Sequence, residues 1–191
     1  MIKIIPKQSF KNIPWKNGEG VTLELAINDD GHLADFEWRL SIAKVDKDGE
    51  FSDFSGYTRN LVLISGKGVI LSHNENQIDR LNSQLDFSIF DGGNKTIATL
   101  VSGPITNFNL MTKTKNFVSS VETFSGLQNV ILKNSLLCFI YGLDKELEII
   151  SKKARISQNM ADGGLMQIFN NKQSDLVVTG QNFIVAYIDR K

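Results

Sequence analysis

Polar residues suited to bind a small molecule concentrate in the first third of the chain. A tryptophan, an amide and two glycines occur together in residues 14–20, just before an alternating segment. Asn17-Gly18 favours the positive backbone dihedral angles of a tight turn. This segment is either a structural turn with Trp15 in the core, or a rigid loop at the mouth of a pocket.

The next two segments alternate apolar and polar residues. In 21–27, Thr22 and Glu24 share the face opposite the apolar residues, and in 36–42 Arg39 and Ser41 do the same. If the two segments are neighbouring strands, Glu24 and Arg39 can pair and still leave guanidinium donors for a ligand carboxylate. The alternative is an exposed ion pair, which contributes only about 0 to 1 kcal/mol.

Two later positions extend this set. Arg59 ends the aromatic-rich segment 48–59 and is either a second anion-binding group or a solvated arginine at a strand start. Asn109 alternates in phase with Met111, and it either offers a hydrogen bond inside a mostly apolar cavity or satisfies a backbone group. Both positions fit a site that binds a small polar ligand.

Standard catalytic and metal sites find little support in the sequence. The two histidines, His32 and His73, lie in polar turn regions without a second ligand at metal-binding spacing, so we expect neither metal nor cofactor. Neither Gly-x-Ser-x-Gly nor a cysteine-histidine pair is apparent. Binding, or metal-free catalysis, is the chemistry that remains.

Composition limits the partners. Twenty-one basic and 21 acidic residues cancel, which argues against nucleic acid as a partner. The sequence contains no window of membrane-spanning length, and the apolar start is too short for a signal peptide. Cys138, the single cysteine, lies in an apolar run and should be buried. These features predict a protein of the reducing cytoplasm that binds no membrane.

Many short segments with a two-residue period indicate an all-β fold with little helix, a sandwich or barrel. A weak repeat, Leu61 to Gly66 against Leu137 to Gly142, suggests two similar halves. The best helical candidate is Ser125 to Leu132, as a connection between them. The strand candidates are 21–27, 36–42, 61–64, 69–71, 87–90, 97–101, 118–124, 136–141, 147–150, 165–169 and 183–188.

The motifs together resemble the HutD/Ves family in order and spacing. They are Pro14-Trp15-Lys16-Asn17-Gly18-x-Gly20-x-Thr22-x-Glu24, Phe36-x-Trp38-Arg39-Leu40-Ser41-Ile42-Ala43, Asp48-Gly49-x-Phe51-Ser52-x-Phe54-x-Gly56-Tyr57-x-Arg59, Gly103-Pro104 and Phe108-Asn109-Leu110-Met111-Thr112. The resemblance is strong over about the first 115 residues and general beyond them.

This resemblance implies a cupin-like fold in one compact chain of two β-barrel halves, approximately 1–118 and 119–191, whose terminal strands could be exchanged. It also implies a regulatory protein that binds a small histidine-degradation intermediate such as formylglutamate, or a stress-response role as in Ves-like members. The residues it places around the pocket are Trp15, Asn17, Gly18, Thr22, Glu24, Trp38, Arg39, Ser41, Arg59 and Asn109.

Two positions depart from the family pattern. Glu19 replaces a glycine and adds an anion near the expected mouth, while Lys113-Thr114 replaces a basic pair and removes a positive charge. Both changes weaken the case for an acidic ligand.

Three functions are consistent with the sequence. The first is a non-catalytic binder whose Arg39 anchors a small carboxylate, and the lack of an independent acid-base group favours it. The second is a metal-independent isomerase or lyase with Glu24 as general base and Arg39 stabilising an oxyanion. The third is an interaction module that docks a partner or a second copy, as a homodimer, through exposed aromatic rings. The rings in question are Trp15, Phe51, Phe54 and Tyr57.

Overall fold

The structure, a computed structural model, describes residues 2–14, 21–151, 155–171 and 175–191. Its regular elements are strands, apart from one turn of 3-10 helix at Lys7–Ser9 in the described ranges. In chain order the strands are β1 (Ile2–Ile5), β2 (Lys11–Pro14), β3 (Val21–Ile27), β4 (Trp38–Val45), β5 (Gly49–Glu50), β6 (Tyr57–Ser65), β7 (Val69–His73), β8 (Gln77–Leu81), β9 (Phe87–Asp91), β10 (Thr96–Leu100), β11 (Ile105–Lys113), β12 (Phe117–Phe124), β13 (Gln128–Ile131), β14 (Ser135–Gly142), β15 (Leu147–Ser151), β16 (Ile156–Met160), β17 (Leu165–Asn171), β18 (Val177–Gly180) and β19 (Phe183–Arg190).

The chain divides into two compact units. The N-terminal unit is Lys11–Phe117, and the C-terminal unit combines Met1–Phe10 with Val118–Lys191. The first strand belongs to the C-terminal unit because β1 pairs antiparallel with β17, Ile2 opposite Ile168.

The N-terminal unit contains two antiparallel sheets. Their strand orders are β2-β3-β4-β11-β6-β9 and β5-β10-β7-β8. Alternate residues of the strands form a buried cluster that includes Leu61 and Leu63 of β6 and Val69 and Leu71 of β7. The hairpin between β6 and β7 turns at Gly66, where φ is 103° and a side chain would lie 2.7 Å from the Pro104 carbonyl oxygen. Only glycine fits that turn without strain.

The C-terminal unit also has two sheets, with strand orders β1-β17-β14-β19-β12 and β13-β18-β15-β16. Its core is a larger apolar cluster in which Cys138 and Ile140 of β14 pack with Val185 and Tyr187 of β19. Cys138 is free and buried, as the sequence predicts, and burial raises the pKa of its thiol.

The two units repeat one strand order. β4-β11-β6-β9 in the N-terminal unit corresponds to β12-β19-β14-β17 in the other, and β5-β10-β7-β8 corresponds to β13-β18-β15-β16. The weak sequence repeat therefore marks two strands, β6 and β14, at equivalent places. It is offset by one residue, because Leu61 joins the N-terminal core whereas Cys138, not Leu137, joins the C-terminal one. A one-residue offset changes the face of a strand.

The prediction of an all-β fold with little helix is confirmed, and one element is wrong. Residues 125–132 contain β13 rather than a helix, with Val130 opposite Val178 of β18. Leu127 and Ile131 are exposed. In the part of the chain that the structure describes, we find no helix with the length and apolar character to cross a membrane.

Candidate functional site

The site begins with an ion pair between neighbouring strands. Arg39 Nε on β4 donates to Glu24 Oε2 on β3 at 2.8 Å, and the two side chains are only 4% and 12% exposed. The register explains the contact, since Glu24 lies opposite Ser41 and a bulge then sets Ile27 opposite Arg39. The pairing expected from strand phase is therefore present and largely removed from solvent, and the alternative of an exposed surface pair is wrong.

A second arginine lies on the same face of the sheet, on β6, which is separated from β4 by β11. Met111 of β11 is opposite Arg39 on one side and Arg59 of β6 on the other. Directly opposed residues project from the same face of a sheet, and two strand spacings separate the arginine Cα atoms by about 10 Å. We call Arg39, Met111 and Arg59 the arginine row. All three residues are buried.

Aromatic rings surround the Arg59 guanidinium. Its Cζ lies 5.1 Å from the ring centres of both Phe51 and Phe90 and 5.7 Å from that of Phe54. Nη2 donates to Asn109 Oδ1 at 3.2 Å, and the Asn109 amide donates in turn to Asn107 Oδ1. Cation–π contacts and one amide acceptor thus fix the guanidinium without neutralising it.

Both arginines retain buried donors. Arg39 Nη2 and Arg59 Nε are inaccessible to solvent and have no hydrogen-bond partner in the structure as described. Burial lowers the pKa of Arg59 to about 10, so the group is still cationic at neutral pH. Over the described ranges no carboxylate pairs with it. A buried donor without an acceptor costs about 1 to 3 kcal/mol, which an incoming acceptor would offset.

A buried histidine lies behind Phe90. His73 is 1% exposed, although the sequence suggests a polar turn, because it is the last residue of β7 and pairs with Thr96 of β10. Its Nδ1 is 2.9 Å from Thr96 Oγ1 and its Nε2 is 3.3 Å from Asp79 Oδ2. His32, in contrast, lies in an exposed turn as expected, with Nδ1 3.0 Å from the Asp35 carbonyl oxygen.

The remaining predicted site residues divide into three groups. Thr22 and Ser41 lie on the face of the arginine row, by their register with Ala43 and Glu24. Trp38 is buried on the opposite face, opposite Thr112 of β11, so the structure does not bring it to the row. The loop positions, Trp15, Asn17 and Gly18, fall outside the described residues. The role of the whole set in binding stays a prediction.

The aromatic segment before β6 packs inward. Phe51 and Phe54 cover Arg59. The Tyr57 ring packs against that of Phe36, with ring centres 4.4 Å apart and planes tilted by 36°, and its hydroxyl donates to the Phe36 carbonyl oxygen. These rings are half-buried and committed to contacts within the chain. The hypothesis of an exposed aromatic docking patch therefore lacks three of its four rings.

Lys113 does not extend the site. Its Nζ lies 2.7 Å from Asp35 Oδ1 and 3.7 Å from Glu37 Oε1. The hydrogen bond from Lys113, followed by its charge, holds the pKa of the exposed Asp35 carboxyl below its usual value. Among the described residues, no three or more His, Cys, Asp and Glu side chains form a group that could hold a metal ion.

Sequence reasoning placed Met111 in phase with Asn109 but did not include it in the site, and it missed Phe90 and Asn107. The phase of β11 could have identified Asn107, because it alternates with Asn109 on the same face. No signal identified Phe90, an aromatic residue in a short apolar strand, since its contact with Arg59 depends on the pairing of β9 with β6.

Two sets of eight strands that repeat one strand order, β4–β11 in the N-terminal unit and β12–β19 in the C-terminal unit, define a cupin-like protein. Solved structures agree, among them a bacterial pirin from Escherichia coli in complex with nickel(II), at a TM-score of 0.68 and 7% identity over 100% of this chain and 99% of that one. The HutD family profile matches residues 7–186, and the chain belongs to the HutD family.

Relatives cover nearly the whole chain or about half of it. The "Uncharacterized 21.2 kDa protein in hutC 3'region" of Pseudomonas putida is 27% identical over 99% of this chain and 98% of its own length. Protein Ves of Escherichia fergusonii is 32% identical over 56% of each chain. The structure of HutD from Pseudomonas fluorescens, described as a formate condition, has a TM-score of 0.84 at 23% identity and covers 100% of both chains.

Proposed function

We propose that this protein is a non-catalytic receptor for a small carboxylate, bound at the arginine row. The observation that carries the proposal is Arg59, a buried guanidinium with an unused Nε and without a carboxylate partner in the described ranges. Proteins seldom bury an unpaired charge unless it serves a function, because desolvation costs several kcal/mol. A ligand carboxylate supplies both the missing charge and the missing acceptor.

Arg39 supplies the second contact. Glu24 accepts from Nε, and the buried Nη2 has no acceptor in the structure as described. This arrangement supports Glu24 as the residue that orients Arg39. It favours binding over the alternative isomerase or lyase, in which Glu24 would act as a general base.

The regulatory part of the proposal concerns the identity of the ligand. The Pseudomonas putida relative is named for its place in the hutC 3' region. Acids of histidine degradation, with formylglutamate first among them, are therefore the carboxylates to test, and flux through that pathway is what the receptor would govern. We assign this receptor to the reducing cytoplasm, where a free buried Cys138 is ordinary.

Calorimetric titration with formate and formylglutamate tests the proposal. We expect saturable binding that Arg59→Gln or Arg39→Gln weakens about thirtyfold or more, because each removes a buried charged donor. Arg80→Gln, at an exposed arginine of β8 in the same unit, is the matched control and should bind as the wild type. The proposal fails if neither acid binds, or if Arg59→Gln binds as tightly as the wild type.

A further inference from the structure

His73 is held from two sides in the interior of the N-terminal unit. Thr96 Oγ1 donates to the Asn94 carbonyl oxygen at 3.2 Å, so its lone pairs face His73 and the imidazole Nδ1–H is the donor. This assignment follows from the hydrogen-bond network. One edge of the ring is thereby fixed to β10.

The other edge of the ring faces a carboxylate. His73 Nε2 lies 3.3 Å from Asp79 Oδ2, a close contact that does not have the geometry of a hydrogen bond. The Ser88 hydroxyl donates to the same oxygen. Asp79 of β8 thus contacts both the His73 imidazole of β7 and Ser88 of β9, which is two residues before Phe90.

The imidazole also forms the back of the Arg59 enclosure. The rings of His73 and Phe90 are 4.5 Å apart at their centres and tilted by 37°. Phe90 lies opposite Arg59 in the register of β9 and β6, and its ring centre is 5.1 Å from Arg59 Cζ. The contacts form a continuous series from Asp79 through His73 and Phe90 to Arg59.

We propose that His73 is a positioning residue, whose imidazole, oriented by Thr96 and Asp79, holds the Phe90 ring against the Arg59 guanidinium. Filling the space behind Phe90 needs only an aliphatic side chain, and burying a polar ring in its place costs desolvation. Two polar partners define the angle of the ring, which an aliphatic side chain does not. The consequence for ligand affinity rests on the proposed function, whereas the geometry of Arg59 does not.

The Arg59 Nε–H resonance in a ¹⁵N–¹H spectrum of the ligand-free protein tests the geometry. This group is buried and unpaired, and three aromatic rings contribute ring-current shifts to it. His73→Leu retains volume but removes the ring, and Thr96→Val retains the ring but removes its acceptor. We expect both to displace the Arg59 resonance, the first by more than the second.

Ser151→Ala is the control for the loss of a side-chain hydroxyl that donates a hydrogen bond elsewhere in the chain. Its hydroxyl donates to Asp175 in the C-terminal unit, so it should lower stability without moving the Arg59 signal. An unmoved signal in folded His73→Leu overturns the proposal. If that variant does not fold, Thr96→Val decides, and an unmoved signal there is equally negative.

Formate titration adds a second measurement. We expect His73→Leu to weaken binding about three- to tenfold, the size of coupling usual between residues in contact. If the wild type binds no formate or formylglutamate, the receptor proposal fails while the Arg59 resonance still decides the role of His73. If the resonance moves and affinity does not, His73 positions Arg59 without any effect on binding, which overturns the functional half of this proposal.

Discussion

The two units share a strand order and differ in what that order encloses. Along the central strands of the N-terminal unit, the face of the arginine row includes Arg39, Arg59, Asn107 and Asn109, all buried. On the corresponding strands of the C-terminal unit, the buried polar residues that the structure describes are Ser135 and Gln167, which are uncharged. The core face of these strands carries Cys138, Ile140, Val185 and Tyr187. The same architecture thus serves stability in one unit and, as we propose, recognition in the other.

The largest effect should come from the apolar unit. Phe183 is fully buried and stacks on Phe124 with ring centres 4.8 Å apart. We expect Phe183→Ala to lower the free energy of unfolding by about 3 to 5 kcal/mol, through lost transfer energy and a cavity. Far-UV circular dichroism in urea measures it, and exposed Leu127→Ala should stay within about 0.5 kcal/mol of the wild type. Equal losses in both would show that the C-terminal core is not the stabilising one.

Breaking the buried ion pair should have the next largest effect. Glu24→Gln leaves Arg39 charged and unpaired, and we expect a loss of about 3 kcal/mol from the N-terminal unit. Tryptophan fluorescence follows this unit alone, because Trp15 and Trp38 are the two tryptophans of the chain and both belong to it.

Two variants provide the controls for that loss. Adding Arg39→Met should recover most of it, since the unpaired charge is removed. Asp46→Asn, in the exposed pair with Lys44, should change stability by less than about 1 kcal/mol. No recovery in the double variant would contradict the charge argument.

Arg59 should show a separation of function from stability. Arg59→Met removes a cation whose charged form burial disfavours, and it keeps much of the side-chain volume among the three rings. We therefore expect carboxylate binding to be lost while the free energy of unfolding changes by less than about 1 kcal/mol or rises. A loss of several kcal/mol would mean that Arg59 is a structural residue like those of the C-terminal core.

The smallest expected effect is a loss of stability at acid pH through protonation of Asp79. Desolvation by itself raises the pKa of Asp79, but hydrogen bonds from Ser88 and Gln77 and the charge of His73 outweigh it and hold the pKa below 3.8. The stability that this group contributes is therefore complete above pH 3.8 and is lost as the pH falls through the lower folded value. Tryptophan-monitored unfolding should show a gap between wild type and Asp79→Asn that narrows in this acid range. If the difference in stability between wild type and Asp79→Asn does not change with pH, protonation of Asp79 does not contribute to the acid destabilisation of the N-terminal unit.

Part of the site was predictable because the face on which a residue lies depends only on alternation within its own strand. Strand phase placed Thr22 with Glu24 and Arg39 with Ser41, since a period of two residues needs no tertiary information. The pairing of β3 with β4 then placed all four on one face. The family motif places Trp38 at the pocket, but strand phase places it on the face of β4 away from Arg39. Motif resemblance therefore assigned one residue to the site that strand phase excludes. His73 shows another limit, since burial at the end of β7 depends on which strands lie beside it.

The sequence by itself determined the all-β class, the family and the faces of the strands, because alternation and motif spacing are properties of short segments. Tertiary structure decided which strand faces are buried, and therefore that the charged side chains of Arg39 and Arg59 lie in the interior. The series from Asp79 to Arg59 joins β6, β7, β8 and β9, and the pairing of these strands exists only in the folded sheets. Long-range pairing also decided that the Glu24–Arg39 pair lies largely out of solvent. It buried Arg59 without a carboxylate partner in the described ranges, and this is the feature that suggests a ligand.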